Sequence, residues 1–546
     1  MAFFAAKFIE ISVFYINSFI AARGLFACIA VSFCLAECLV PGRVQEEESW
    51  MTVGKEELLR LQNGSDIRGV AIKTESEAIT LTGEAVNRIA GAFASWLEQK
   101  TKKAVVKIGV GYDSRLSAPE LSAAALGGLV AAGAKVIDCG LASTPAMFMG
   151  TVYKETAFDG SIMITASHLP YNRNGMKFFT AAGGLEKAEI TEVLALAVRQ
   201  PFSGTPTTKI ARQNLLGLYS EHLQTIIRQA VASGEKPLAG LHIVVDASNG
   251  AGGFFAGQVL APLGADVTGS QFLEPDGNFP NHIPNPEDPA AMAALRDAVL
   301  QHQADIGIVF DPDVDRMSAV LSDGEEINRD ALIAMMAAIA VKECPGATIV
   351  TDSVTSDHLT EFLETGLSCC HRRFKRGYKN VINECKRLNQ SGVESPLAIE
   401  TSGHGAFREN YYLDDGCYMA VRLIIAAVLE KRQGRTLADM IARLVRAADC
   451  REYRIKIDEK DFRTYGERVV ALFEQRAAAA GINIVPGSCE GVRVQFHDEV
   501  EGWALLRTSL HDPVLALNME GAQKGDCDKI YERIRGLLAD CTSLLY

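Results

Sequence analysis

From about residue 60 the chain repeats one pattern: a short apolar run, a polar loop, then an apolar stretch at helical spacing. "AVVKIGVGYDSR" (104–115) reads as a strand ending in Gly111 and the polar group Asp113, Ser114 and Arg115. "APELSAAALGGLVAAGA" (118–134) follows as a helix and "KVIDCG" (135–140) as the next strand. "SIMITASH" (161–168) repeats the arrangement and delivers Ser167 into a loop. "LHIVVDASNGAGG" (241–253), "ADIGIVFDPDVDR" (304–316), "ATIVTDSV" (347–354) and "SPLAIETSGHGAF" (395–407) are further strands running into polar loops. Such units predict an α/β chain with parallel or mixed sheets covered by helices, and with the active groups at strand ends. From about 451 the texture changes. "REYRIKIDE", "INIVPG", "CEGVRVQFHD" and "GWALLRTS" predict an antiparallel sheet beside helices. Together with the linker-like "PFSGTPTTKIAR" (201–212), these shifts divide the chain into a leader at 1–50, α/β units at 60–205, 206–345 and 346–450, and an α+β unit at 451–546.

The first forty residues do not follow the pattern. They are rich in Phe, Ile, Ala, Leu and Val, and a polar linker, "RVQEEESW", follows them. The apolar run is interrupted by Arg23 and Glu37 and is short for a membrane span. It predicts a targeting leader, set aside from the fold. The expected compartment is an organelle, a plastid among them, if the leader acts, and the cytoplasm if it is an upstream extension. On a secretory route Asn63 in "NGS" would be a glycosylation acceptor.

Composition narrows the function classes. Lys plus Arg number 54 against 67 Asp plus Glu, a net charge of −13 with no long basic block, so no nucleic-acid partner is expected. No membrane partner is expected for the mature domains either, and the oligomeric state is left open. The 13 cysteines show no ligand or disulfide spacing, which predicts reduced thiols and no zinc site.

The sharpest chemical signal is "FDPDVDR". Asp311, Asp313 and Asp315 alternate directly after an apolar strand and can converge oxygens on one hard divalent cation, Mg²⁺ before others. An acidic surface turn is the alternative, disfavoured because carboxylates held close repel unless a cation neutralises them. Arg316 adds a cation to hold a phosphate or orient an aspartate. Ser167 is the candidate nucleophile or phosphoryl carrier; no "GxSxG" elbow surrounds it to support acyl transfer. Lys177 is placed to carry protons or hold negative oxygens. His168 is a candidate base, although neighbours in an extended chain point apart. Glu400, Ser402 and His404 in "IETSGHGA" suit the hydroxyls of a sugar. Arg507, Ser509 and His511 in "LLRTSLHDP" suit a phosphate. "RRFKRGYKN" (372–380), with Lys379, reads as the basic wall of a phosphosugar cleft.

With these residues assembled, the chain resembles the α-D-phosphohexomutase superfamily of phosphoglucomutases, phosphomannomutases and phosphoglucosamine mutases. The resemblance runs from about residue 65 to near the C-terminus. It rests on "SDIRGV" (65–70), "GYDSR" (111–115), "TASHLPYNRNGMK" (165–177), "NFPNHIPNPE" (278–287), "DPDVDR" (311–316) and "ETSGH" (400–404), in that order. It implies four domains around a central cleft, three of them related α/β units. It further implies an enzyme in which Ser167 is phosphorylated and shares the metal with Asp311, Asp313 and Asp315. Lys177, Arg115, His168 and Arg316 would assist catalysis, Glu400, Ser402 and His404 would bind the sugar, and Arg507, Ser509, His511 and Lys379 would bind phosphate. The implied reaction interconverts hexose 1-phosphate and hexose 6-phosphate through a bisphosphorylated intermediate, with Mg²⁺ as cofactor and hexose 1,6-bisphosphate as activator. The sequence departs from the family pattern at Leu169, usually asparagine, and at Leu510, His511 and Asp512 of the distal phosphate loop. That altered loop motivates a competing reading, a phosphosugar-binding or regulatory protein with weak or no turnover. A phosphatase, with water as acceptor, is a third.

Overall fold

The computed structural model describes residues 53–201, 209–509 and 512–546. The leader at 1–50, Leu510 and His511 lie outside the described residues.

The central strands of the three α/β units are buried on both faces, and the alternation of their side chains shows how the units are joined. In Ile306–Phe310, Ile306, Ile308 and Phe310 enter one large core while Val309 enters a second, local one. Ile243 and Val245 likewise face the large core and Val244 the local one. Ile349, Leu397 and Ile399 repeat this against Val350 and Ala398, and Met163 against Ile162 and Ile164. The two-residue period of a strand thus feeds one shared core from three separate sheets, while each sheet closes its other face with its own helices.

The first sheet runs in the order Gln62–Asn63, Asp66–Val70, Arg173–Thr180, Gly160–Ile164, Lys107–Tyr112, Lys135–Leu141, Ala211–Arg212, with Gly183–Gly184 paired to Arg173–Thr180. Lys107–Tyr112 is parallel to both its neighbours, whereas Arg173–Thr180 is antiparallel to Gly160–Ile164 and Asp66–Val70. The second sheet orders Glu326–Ile327, Met317–Leu321, Ile306–Phe310 and Ile243–Asp246, the last two parallel. The third orders Cys370–Arg373, Thr348–Thr351, Leu397–Ile399, Gly405–Phe407 and Leu413–Asp414. The fourth has six strands, Asn483–Ile484, Val492–His497, Glu501–Thr508, Val514–Gly521, Asp449–Ile457 and Leu544–Leu545, all antiparallel. Helices Phe462–Ala479 and Asp526–Leu537 cover it around their own apolar cluster. The expected α/β chain of three mixed-sheet units and an antiparallel α+β tail is therefore the observed architecture. Among the described residues no helix is long and apolar enough to cross a membrane, and the ten described cysteines are unpaired.

One buried polar contact fixes the shared core. The Tyr219 hydroxyl, on helix Leu215–Val231, donates to Asp415 Oδ1 at 2.6 Å, and Asn410 Nδ2 and the Tyr418 amide donate to the same carboxylate at 2.9 Å each. Asp415 caps helix Gly416–Arg432, which carries the buried face of the third unit. Burial pushes the Asp415 carboxyl up to about 6, so each donor offsets part of the cost of a buried anion. Tyr219→Phe removes one donor with little change of shape. It is expected to destabilise the chain by about 1–3 kcal/mol, seen as a lower Tm; an unchanged Tm would show that the hydroxyl is dispensable to this joint.

Candidate active site

The serine loop leaves the fully buried strand Gly160–Ile164 and returns along Arg173–Thr180. Ser167 has φ +51°, a left-handed conformation that a non-glycine residue holds only when its surroundings enforce it. Two sets of bonds enforce it here. The Ser167 amide donates to Thr165 Oγ1 at 2.8 Å, and Thr165 Oγ1 donates to Asp113 Oδ2 at 2.7 Å. Arg115, 1% exposed, directs its guanidinium to the carbonyls of Ser167, Leu169 (2.6 Å), Pro170 (2.8 Å) and Arg173 (2.9 Å). Arg115, expected among the catalytic groups, therefore holds the loop by its backbone. The same left-handed turn breaks the alternation of an extended chain. His168 Nδ1 lies 3.3 Å from Ser167 Oγ, so the two neighbours meet rather than point apart as expected. The Arg316 charge and burial push the His168 imidazole down to about 2, which keeps it neutral and a poor proton acceptor.

Ser167 Oγ sits over the acidic loop of the second unit. It donates to Asp311 Oδ2 at 2.8 Å and accepts from Arg316 Nη2 at 3.0 Å, both contacts buried. Arg316 is 1% exposed and also reaches Asp311 Oδ2 at 3.1 Å and Asn285 Oδ1 at 3.2 Å. Carboxylate oxygens of Asp311, Asp313 and Asp315 all lie within 4.8 Å of one another. Burial, then the charges of Asp315 and Asp313, push the Asp311 carboxyl up to about 8. Two oxygens of the cluster, Asp313 Oδ1 and Asp315 Oδ1, are buried without a hydrogen-bond partner. Buried anionic oxygens without donors are costly, and convergent hard oxygens suit Mg²⁺. The residues fit the divalent cation expected of them.

Lys177 crosses from the first unit to the same loop. Its Nζ donates to Asp313 Oδ2 at 2.8 Å and to Asp315 Oδ2, and the residue is 4% exposed. Burial opposes the charge, but Asp313 and Asp315 outweigh it and hold the ammonium well above the usual lysine range. Lys177 in this arrangement is a bound cation that donates hydrogen bonds to both carboxylates.

The sugar-loop candidates divide. Glu400 is 2% exposed, accepts from the Gly377 amide at 2.6 Å, and is pushed up to about 7 by burial and by Asp352. Ser402 is half-buried. His404 stacks on Tyr378, its Nδ1 pairs with Asp414 Oδ2, and Asp315 Oδ1 lies 3.9 Å away. Burial lowers its basicity, but Asp414 and Asp315 prevail and bring the imidazole up to about 9. Tyr378 in turn reaches Ser65 Oγ at 3.2 Å, tying the third unit to the first.

The phosphate candidates are less uniform. Arg507 is buried, and Asp512 N donates to Ser509 Oγ at 3.2 Å. Lys379 reaches back to the first unit, donating to the Gly184 carbonyl at 2.6 Å and pairing with Glu186 at 2.9 Å. A cleft of about 760 Å³ lies between the first, third and fourth units, with Asp66, Lys379, Asn380, Arg463 and Ser509 on its walls. That volume is within the range of small-molecule sites.

Several members of the site were not singled out by their residue type. Thr144 Oγ1 donates to Asp313 Oδ2 at 2.5 Å across 169 positions of sequence, and nothing in "STPAMF" marks it. Arg68 Nη1 donates to the Thr165 carbonyl at 2.5 Å, and "SDIRGV" carried the resemblance without disclosing that contact. Asp414 was legible as half of the acidic pair in "LDDG".

With this geometry in hand, comparison with known proteins is specific. Residues 59–201, 218–324 and 328–447 match the family models described as phosphoglucomutase/phosphomannomutase alpha/beta/alpha domains I, II and III. A phosphoglucomutase from Neisseria gonorrhoeae is 29% identical over 88% of this chain and 97% of its own length. A phosphomannomutase/phosphoglucomutase from Pseudomonas putida is 31% identical over 86% of this chain and 93% of its own length. The crystal structure of a phosphoglucomutase/phosphomannomutase family protein from Burkholderia thailandensis aligns with a TM-score of 0.71 at 26% identity, covering 90% of this chain and 98% of that one.

The His404–Asp414 pair has a defined pH signature. Because the folded-state imidazole is raised from 6.5 to about 9, its contribution to stability is complete below pH 6.5 and is lost as pH rises through about 9. Asp414→Asn is expected to lower the His404 titration midpoint, followed by its imidazole NMR signals. An unmoved midpoint would remove Asp414 as the counter-ion.

Proposed function

Since the chain belongs to the phosphoglucomutase/phosphomannomutase family of the α-D-phosphohexomutase superfamily, we propose that it is a hexose phosphate mutase working through a phosphorylated Ser167. The single observation that carries this reading is the meeting of Ser167 Oγ with Asp311 at 2.8 Å and Arg316 at 3.0 Å, across two units and 144 residues. A structural serine needs no such company, and simple sugar binding needs no phosphoryl carrier.

In the forward half-reaction the bond between phosphorus and Ser167 Oγ breaks and a bond from phosphorus to a sugar hydroxyl oxygen forms. The proton given up by the sugar hydroxyl is balanced by one taken up at Ser167 Oγ, which ends the half-reaction as the neutral hydroxyl that donates to Asp311. Arg316 Nη2, already on that oxygen, stabilises the developing charge. Arg115 keeps the serine loop from moving as the bond breaks, and the neutral His168 places no added charge there. The divalent cation held by Asp311, Asp313 and Asp315 supplies electrostatic stabilisation of the transferring phosphoryl group when bound. Lys177 Nζ, on Asp313 and Asp315, is placed to handle protons and negative oxygens beside the residues that would hold the cation. Glu400, Ser402 and His404 face the sugar hydroxyls, and Arg507 with Ser509 holds the phosphate that is not transferring. A bisphosphorylated sugar then reorients and returns its other phosphoryl group to the serine.

The sugar is a glucose, mannose or glucosamine phosphate. Phosphorus NMR of the protein with Mg²⁺, a trace of hexose 1,6-bisphosphate and each 1-phosphate in turn is expected to show a 6-phosphate product. Ser167→Ala should lower turnover at least about a thousandfold. Release of inorganic phosphate as the main product would make the protein a phosphatase. No conversion together with no phosphoserine by intact mass would favour a phosphosugar-binding protein. Asp313→Asn removes one anionic ligand and is expected to weaken Mg²⁺ activation by about tenfold or more. An unchanged Mg²⁺ dependence would place the metal elsewhere.

A further inference from the structure

Glu490 lies where the third and fourth units meet, beside the arginine assigned above to the distal phosphate. Its Oε1 accepts from the Ser353 hydroxyl and from the Arg376 amide at 3.1 Å, and it lies 4.0 Å from Arg507 Nε. A hydroxyl, a backbone N–H and a guanidinium converging on one anionic oxygen form the donor set of a phosphate oxygen. Ser353 is 6% exposed and Arg507 8%, and the Glu490 side chain is 15% exposed, so the carboxylate is largely covered with its donors.

The backbone is built to put it there. Gly491, at φ +61°, sits so close to the neighbouring strand that a Cβ would lie 2.3 Å from the Leu506 carbonyl and 2.7 Å from Arg507 Cβ. Only glycine permits that approach, which draws Glu490 alongside Arg507. Two residues on, Arg493 anchors the same stretch to the third unit. It donates to the carbonyls of Ser353 (3.3 Å) and Thr355 (3.1 Å), pairs with Asp357 at 2.9 Å, and stacks on Trp503 at 3.6 Å. The carboxylate is thus held from both sides, yet it does not satisfy Arg507: the buried Nε has no hydrogen-bond partner. Of the other nearby acids, Glu452 is turned to Asn518 Nδ2 at 2.9 Å and lies 3.9 Å from Arg376 Nη1, and Asp352 accepts from the Thr401 amide and hydroxyl at 3.1 and 2.7 Å.

We propose that Glu490 is an internal anion set against the distal phosphate site, an affinity-determining residue whose carboxylate competes with the phosphosugar for Arg507, Ser353 and the Arg376 amide. It keeps Arg507 compensated in the empty cleft and weakens the hold on bound phosphate. A sugar that must present each end to this site in turn is then not trapped there. The inference rests on the reading of Arg507 as a phosphate ligand.

The test is calorimetric titration of the full chain with inorganic phosphate, for wild type, Glu490→Gln and Glu490→Gln combined with Arg507→Gln. Removing one charge about 4 Å from a part-buried guanidinium is expected to tighten phosphate binding roughly tenfold. The gain is expected to vanish when Arg507 is also replaced. Glu490→Asp keeps the charge but withdraws it from Arg507, leaves every phosphate donor in place, and is expected to tighten binding by a smaller factor, so the proposal does not depend on Glu490→Gln folding. Equal or weaker phosphate binding in Glu490→Gln and Glu490→Asp would overturn it and leave Glu490 as a strut between units. Phosphate binding by neither wild type nor any variant would instead overturn the assignment of Arg507 itself.

Discussion

Three buried carboxylates within five residues are the constraint around which this structure is arranged. Asp311, Asp313 and Asp315 follow a fully buried strand, and their oxygens cannot separate. Their repulsion is answered from every direction. Arg316 covers Asp311 from the loop itself, Lys177 reaches Asp313 and Asp315 from the first unit, and His404 approaches Asp315 from the third. Thr144 adds a neutral donor. Each partner comes from a different element, so the electrostatic need of one loop also fastens three units together. Two carboxylate oxygens have no hydrogen-bond partner, which fits the donor set a hard cation takes.

The shared core makes this precision feasible. Three sheets turn one face each into a single apolar cluster, so the loops at their strand ends are fixed relative to one another by packing rather than by their own contacts. Ser167 can then hold a left-handed conformation at a loop tip. The strain is small beside the enclosure provided by Arg115, Thr165 and Asp113. The fourth unit is fastened differently. Its core is separate, and it meets the third unit through polar side chains around Glu490 and Arg493 and through a small apolar cluster of Val354, Trp503 and Leu505.

Opposed charges recur across the cleft. Glu400, raised to about 7, and His404, raised to about 9, lie on one short loop and are pushed in the same direction for different reasons. The acid is disfavoured as an anion by burial and by Asp352, while the base is favoured as a cation by its acidic neighbours. A half-protonated acid and a charged imidazole side by side present both hydrogen-bond senses near neutral pH.

The sequence by itself determined the layered α/β plan, the antiparallel tail and the residue types of the site. Hydrophobic period and polar strand ends follow from local geometry that any window of ten residues records. The acidic loop and Ser167 were legible for the same reason, each being a local excess of chemistry after an apolar strand. Only the tertiary structure decided who meets whom. Arg115 turned to backbone carbonyls, Lys379 to the first unit and His168 onto its neighbour, because long-range packing and a left-handed turn set those directions. Thr144 and Glu490 gained their roles only by proximity, across 169 residues to Asp313 and 137 to Ser353. A contact between distant positions is a property of the packed core, and no stretch of sequence contains it.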